Sequence, residues 1–205
     1  MNVRRGTGWV VARAAAMVVG FAGAALLGGC VGWTTYPPEA GQKSFADPND
    51  LPNTDVMVEA FNWAVRKYPP APADPTTGAT PPPRSFAVNL PPELKPLIHK
   101  RTVGRITGAA PLTEKTKSLP TYHLASMRLR GDEAQVSILC PVGDMTESPS
   151  GEPVYQEVRV NLRGGMRAWT VVGHREWTPA PASPTLSYFD EAAAARAEAA
   201  LGGGR

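Results

Sequence analysis

Apolar and polar residues alternate along two stretches in the second half of the chain. Gly131-Asp132 interrupts the first stretch and Gly164-Gly165 the second, and both dipeptides are typical of two-residue turns between antiparallel strands. The pattern predicts two hairpins that follow one another as a four-stranded antiparallel meander. The predicted strands are Tyr122–Arg130, Glu133–Cys140, Val154–Arg163 and Met166–Trp177.

Two-residue turns also predict which residues face each other across the strands. The first hairpin is expected to pair Met127 with Val136, Ala125 with Ile138, and His123 with Cys140. On one face of the second hairpin the expected pairs are Val160 with Trp169 and Val158 with Val171. On its other face they are Tyr155 with His174 and Glu157 with Val172, with Arg159 nearby. Apolar residues fall opposite apolar residues in this register, which makes it self-consistent.

Helical spacing precedes the strands. Asn53 or Thr54 is expected to cap a helix that runs to about Tyr68, and Pro69-Pro70 is expected to end it. One face of this helix is apolar and carries Val56, Ala60, Phe61, Ala64, Val65 and Tyr68.

Three further elements are predicted with weaker patterns. A short strand covers Phe86–Leu90, and Pro91-Pro92-Glu93 opens a second helix that continues to about Ile106. Near the C-terminus, Asp190 is a suitable N-cap for an alanine-rich helix that ends at Gly202. This last helix has almost no apolar stripe, so it is either a frayed tail or a segment that docks on the domain.

Proline-rich segments divide the chain. Residues 30–52 have no periodicity and are interpreted as a flexible tether, and residues 69–83 contain seven prolines in fifteen positions and are interpreted as a surface excursion. Residues 178–205 combine a proline-rich linker with the alanine-rich helix. The folded domain is therefore expected to cover residues 53–177.

One helix before a four-stranded meander predicts an α+β fold. This arrangement resembles the small cystatin-like and NTF2-like folds, in which a helix packs on an antiparallel sheet. The segment Trp169-Thr170-Val171-Val172-Gly173-His174 is similar to the closing strand of many NTF2-like domains. Such folds host enzymes, ligand-binding proteins and assembly modules, so the resemblance implies an architecture and not a function.

The N-terminus has the pattern of an export signal. Arg4 and Arg5 precede an uncharged run of small and apolar residues from Ala14 to Gly29, which is short for a membrane span. The run closes with Leu27-Gly28-Gly29-Cys30, which resembles the lipobox of bacterial lipoproteins. The resemblance implies lipid transfer to the Cys30 thiol, cleavage between Gly29 and Cys30, and removal of residues 1–29 as a signal peptide. The alternative is an uncleaved N-terminal helix.

Either reading places the rest of the chain outside the cytoplasm. Lipidation would anchor it through membrane lipid, and Val31 after Cys30 favours the outer membrane under enteric-type sorting. The sulfur of Cys30 would then be consumed, which leaves Cys140 without a disulfide partner.

Charge and histidine placement exclude several classes of protein. The chain has 21 basic and 18 acidic residues, but three of the basic ones lie in the first 29 residues. The charges of the exported part therefore balance. It lacks the basic surface that a nucleic-acid-binding protein requires. The three histidines are scattered and no CxxC motif occurs, so neither a metal nor another cofactor is expected.

Two sets of residues are candidates for chemistry. His123 and Cys140, if adjacent, could form an imidazole–thiol pair, although a packed core cysteine is the plainer interpretation. Tyr155, Glu157, Arg159 and His174 are expected on one face of the second hairpin, where they could line a pocket or form a solvated surface.

The sequence therefore favours a lipid-anchored binding or assembly module that holds an envelope protein partner or a small ligand. The alternative is an envelope enzyme of hydrolase or isomerase type that uses either His174 with Glu157 or Cys140 with His123.

Overall fold

The computed structural model describes residues 32–40, 46–70, 86–142, 148–149 and 151–202. The chain divides into two compact units, Met1–Gly32 and Trp33–Arg205, and all of the described helices and strands belong to the second. The predicted signal peptide, Cys30 and most of the proline-rich excursion at 69–83 lie outside the described residues.

The described part of the second unit contains three helices and eight strands. The helices are α1 (Leu51–Lys67), α2 (Pro96–Gly104) and α3 (Glu191–Gly202). The strands are β1 (Thr34–Tyr36), β2 (Phe86–Asn89), β3 (Ala109–Pro111), β4 (Thr121–Arg130), β5 (Glu133–Pro141), β6 (Val154–Arg163), β7 (Thr170–Glu176) and β8 (Ala180–Pro181). None of the described helices combines the length and the apolar character that crossing a membrane requires.

All eight strands form one mixed sheet in the order β3-β2-β4-β5-β6-β7, with β1 beside β4 and β8 beside β6. The α+β class and the meander β4–β7 are confirmed. The prediction of an isolated four-stranded antiparallel sheet is wrong, because β2 is parallel to both β3 and β4. Strands β1, β3 and β8 have only two or three residues, too few for an alternating pattern to reveal.

The first hairpin contains a β-bulge that the sequence did not predict. Met127 pairs with Val136 as expected, but the register shifts between Leu124 and Ser126. His123 therefore lies opposite Leu139, and the predicted pairs Ala125–Ile138 and His123–Cys140 are wrong. One extra residue in β4 moves every preceding side chain to the other face of the sheet.

The second hairpin turns through a six-residue loop, 164–169, and not through Gly164-Gly165 alone. Trp169 folds back against Gly164, so closely that a Cβ added to Gly164 would lie 2.6 Å from its ring. Strand β7 consequently starts at Thr170, and Leu162 faces Val171. A second register shift, between Asn161 and Leu162, leaves Val172 as an extra residue in β7 and places His174 opposite Val160. All four predicted pairs are wrong: Val160–Trp169, Val158–Val171, Tyr155–His174 and Glu157–Val172.

Helix α1 starts two residues before the predicted cap. Asp50 is the N-cap and Pro52 lies in the first turn, where its missing N–H costs no helical hydrogen bond. Asn53 instead donates to the carbonyl of Asp47, and the Thr54 hydroxyl donates to the carbonyl of Leu51 at 3.0 Å.

The predicted apolar face of α1 forms the centre of the core. Val56, Ala60, Phe61 and Ala64 are fully buried, and Val65 and Tyr68 pack at its edge. This face packs on β5, β6 and β7, whose inward residues include Val136, Ile138, Val158, Val160 and Leu162.

The segment interpreted as a flexible tether over 30–52 is part of the fold where it is described. Thr34–Tyr36 pairs with Met127–Leu129, and Ala46 is buried. The folded unit therefore begins at Trp33 and not at residue 53.

The C-terminal helix is docked. The Asp190 side chain accepts a hydrogen bond from the Ala193 N–H at 2.8 Å, which confirms the predicted cap, and Ala194 is only 2% exposed. Helix α3 packs on α2, where Lys100 bonds to Glu198.

Helix α2 begins at Pro96, five residues later than predicted. Residues 91–94 form a separate turn, in which the Leu94 N–H donates to the Pro91 carbonyl at 3.2 Å.

Gly164→Ala should lower the free energy of unfolding by about 1–3 kcal/mol, because the new methyl group overlaps the ring and the Cα of Trp169. Gly104→Ala is a matched control, since a Cβ there meets no atom within 4 Å, and it should leave stability unchanged or raise it by up to about 1 kcal/mol. Urea denaturation of both variants provides the measurement. Equal stability of the two would contradict the packing of the 164–169 loop.

Candidate functional site

A cavity of about 470 Å³ opens at the end of the sheet where β4 and β6 begin. Its walls come mainly from residues 117–121, 141–142, 153–155, 183–184 and 186. The lining is mainly apolar and includes Leu112, Leu119, Pro141, Val154, Pro184 and Leu186. Two polar side chains in the lining, His123 and Tyr155, are bonded to each other.

The bulge in β4 brings His123 to the face that Tyr155 occupies. Leu139 lies beside both His123 and Glu157 in the sheet, so His123 shares the face of Glu157 and Tyr155. Nε2 of His123 lies 3.0 Å from the Tyr155 hydroxyl, and the two rings meet edge to face at 5.0 Å. His123 is only 1% exposed.

Asn89 of β2 determines which ring nitrogen of His123 carries the proton. The backbone N–H of Ser187 donates to Asn89 Oδ1 at 2.9 Å, so the other end of the amide is the NH₂ group. Asn89 Nδ2 then donates to the carbonyl of Thr185 at 2.8 Å and lies 2.9 Å from His123 Nδ1. Because an amide nitrogen only donates, Nδ1 must accept, and the ring proton lies on Nε2.

The same chain of hydrogen bonds orients the Tyr155 hydroxyl. His123 Nε2–H donates to the phenol oxygen, so the phenol proton is left to donate to another group. Burial raises the pKa of Tyr155 and lowers the pKa of His123 to about 4. Both groups are therefore neutral near pH 7, and the site presents an uncharged hydrogen-bond donor.

The four residues predicted to line one pocket lie in different surroundings in the structure. Tyr155, Glu157 and Arg159 share one face of β6, but of these only Tyr155 lines the cavity. Arg159 extends instead over the Trp177 ring, with its guanidinium carbon 5.1 Å from the centroid. His174 lies opposite Val160, on the α1 side of the sheet, and its ring is 4.8 Å from that of Trp63.

His123 and Cys140 also lie on opposite faces. Cys140 belongs to the core beneath α1, and burial raises the pKa of its thiol to about 12. The thiol is therefore protonated and out of reach of the imidazole, so the predicted imidazole–thiol pair does not form.

Sequence reasoning missed Asn89 and the segment 183–189, which we call the C-terminal strap. The available signal was the polar Asn89 at the end of the apolar run Phe86–Val88, since a buried amide requires hydrogen-bond partners. The strap itself contains one proline, Pro184, and no pattern that predicts a contact with the domain. Its partners, Asn89 and the backbone of Leu112, are about 75 to 100 residues away.

Among the described residues, no group of three or more histidine, cysteine, aspartate or glutamate side chains is placed to hold a metal ion. Comparison with known proteins gives no match to any family model, curated protein or solved structure.

The two buried histidines, His99 and His123, predict a loss of stability in acid. Unfolded histidine titrates near pH 6.5, whereas burial lowers the pKa of each folded group to about 4. Between these pH values only the unfolded chain binds the protons. The free energy of unfolding should therefore fall as the pH decreases from 6.5 to 4, by roughly 3 kcal/mol for each histidine.

The variant His99→Leu separates the two contributions, because Nε2 of His99 has no hydrogen-bond partner to lose. Chemical denaturation at several pH values should show about half the wild-type decrease in this variant. An undiminished decrease would contradict the burial of a neutral His99.

Proposed function

We propose that this protein is a lipid-anchored binding module of the cell envelope that holds a small ligand in the His123–Tyr155 cavity. The observation that carries the proposal is the combination of an apolar cavity with one oriented hydrogen-bond donor. A volume of about 470 Å³ lies in the usual range for small-molecule sites, and such sites typically use few polar groups to orient a ligand.

The lining indicates the chemistry of the ligand. Its body is apolar, because most of the walls are leucine, valine and proline side chains. The one charged lining residue, Lys117, is already paired with Glu114 at 2.8 Å. The ligand is therefore uncharged and carries an acceptor such as a carbonyl oxygen, which receives the Tyr155 proton.

The anchor is part of the same proposal and rests on the sequence Leu27-Gly28-Gly29-Cys30. Acylation of Cys30 would hold the module on the membrane, in the outer membrane under enteric-type sorting. The folded unit begins at Trp33, so only two residues would separate the lipidated cysteine from the domain. An envelope protein partner remains compatible with this placement, and the cavity favours a small ligand as the primary occupant.

The finer fold resemblance also belongs to the proposal. A long helix across the meander β4–β7 supports a cystatin-like or NTF2-like architecture, to which β1, β2, β3 and β8 would be additions. The enzyme alternative receives no such support, because His174 and Glu157, and likewise Cys140 and His123, occupy opposite faces of the sheet.

Tyr155→Phe tests the oriented donor. Acetophenone and ethylbenzene have nearly the same shape, but only the ketone can accept a hydrogen bond. The wild-type protein should bind the ketone about fivefold more tightly, since one net hydrogen bond contributes about 1 kcal/mol. In Tyr155→Phe the preference should reverse in favour of ethylbenzene, because the buried carbonyl then gives up its hydrogen bonds to water without a new partner, which costs about 1–3 kcal/mol. NMR titration of the backbone amides measures both affinities and locates the shifts.

Tyr188→Phe is the matched control, because Tyr188 lies on the strap but does not line the cavity. It should keep the fivefold preference. Equal binding of both probes by the wild type would contradict the donor, and binding of neither would contradict a small-ligand site.

Cys30→Ala tests the anchor. Cells grown with an alkyne-bearing palmitate analogue should label the wild-type protein and the Cys140→Ala control, since Cys140 is buried. Cys30→Ala should carry no label and should retain the 29-residue leader, which mass spectrometry detects. An unlabelled wild-type protein would contradict lipidation and favour the uncleaved helix.

A further inference from the structure

The end of the sheet opposite the cavity is where the folded unit begins. Thr34 pairs with Leu129, and the guanidinium carbon of Arg130 lies 4.7 Å from the centroid of the Trp33 ring. The first residues of the domain therefore lie beside the Gly131-Asp132 turn. We call this end, formed by Trp33, Leu51, the 131–132 turn and the 164–169 loop, the anchor end.

Large apolar side chains are exposed at the anchor end. Met166 at the tip of the 164–169 loop is fully exposed, and Leu51 at the start of α1 is 76% exposed. Both line one open groove of about 980 Å³, together with Arg167 and Trp169. A single exposed apolar residue is ordinary, but two on one groove beside the first residues of the domain indicate a surface that contacts something apolar.

Charges at the anchor end are balanced. Arg130 and Arg163 both bond to Glu133, and Arg105 bonds to Asp55. The groove itself is lined by three acids and two bases: Asp55, Glu59, Asp132, Arg105 and Arg167. A surface with exposed apolar tips among charges of both signs matches the interface of a zwitterionic phospholipid membrane, whose headgroups also carry both signs. It does not match a strongly anionic partner.

The covalent chain restricts how far this end can lie from a membrane. Trp33 follows Cys30 by three residues, and an extended chain spans at most about 3.6 Å per residue, or about 11 Å in all. If acyl chains hold Cys30 in the bilayer, the anchor end is the part of the domain that meets the membrane surface.

We propose that the anchor end is a membrane-contact surface for zwitterionic phospholipid, with Met166 and Leu51 inserted at headgroup depth. This inference rests on the proposed lipidation of Cys30. A membrane contact at the anchor end also determines where the ligand cavity lies relative to the bilayer. Strands β4 and β6 each have ten residues, which span about 30 Å, so the cavity at their other end lies about 30 Å along the sheet from the membrane-contact surface.

The test uses protein purified from cells that express the full-length chain, mixed with dioleoylphosphatidylcholine vesicles that contain a lipid with a nitroxide near the headgroup. Met166→Cys carries a fluorescent label at the anchor end, and Ala180→Cys, exposed and paired with Tyr155, carries it at the cavity end. The introduced thiol reacts selectively, because Cys30 is acylated and burial of Cys140 raises its pKa to about 12.

We expect the nitroxide lipid to quench the label at position 166 at least threefold more strongly than the label at position 180. A label at Leu51→Cys should be quenched as strongly as the label at Met166→Cys. Agreement between the two positions shows that the quenching does not depend on one substituted side chain. Equal quenching at both ends, or stronger quenching at position 180, would overturn the membrane-contact surface while leaving the anchor intact. Protein that does not sediment with the vesicles would instead contradict the lipidation of Cys30. It would therefore also contradict the membrane-contact surface, which depends on that anchor.

Discussion

One extra residue in strand β4 is the constraint on which the candidate site depends. The bulge between Leu124 and Ser126 moves His123 out of the face that packs on α1 and leaves Tyr122 in the core. In a regular ladder His123 would lie beside Cys140, buried among apolar side chains. The bulge instead places the imidazole beside Tyr155, where its polar atoms find partners at both ends. A local irregularity thus converts a core histidine into part of a polar network.

Asn89 connects that network to the C-terminal strap. Its amide bonds to His123, to the carbonyl of Thr185 and to the N–H of Ser187, so all of these groups are satisfied together. Such networks in a low-dielectric interior are rigid only when every member is paired. The strap also forms part of the cavity wall. The orientation of the Tyr155 proton and the shape of the cavity therefore depend on the same asparagine.

The two ends of the sheet have different chemistry. One end carries the first residues of the domain and the exposed Met166 and Leu51, and the other carries the cavity. Strands β4 and β6, of ten residues each, separate the two ends. The proposed membrane-contact surface and the proposed ligand cavity therefore lie at opposite ends of the sheet.

The sequence by itself determined the α+β class, the position of α1 and its buried face, and the four strands of the meander, because each of these follows from a repeating local pattern. It also identified Asp190 as a helix cap, a role that depends on neighbours within one turn. Only the tertiary structure decided the registers and therefore the site. The irregularities at residues 125 and 172 and the fold-back of Trp169 on Gly164 have no periodic signature, and each changes the pairing of all residues on one side of it. Asn89 and Ser187 are 98 residues apart, and no local rule could bring them together.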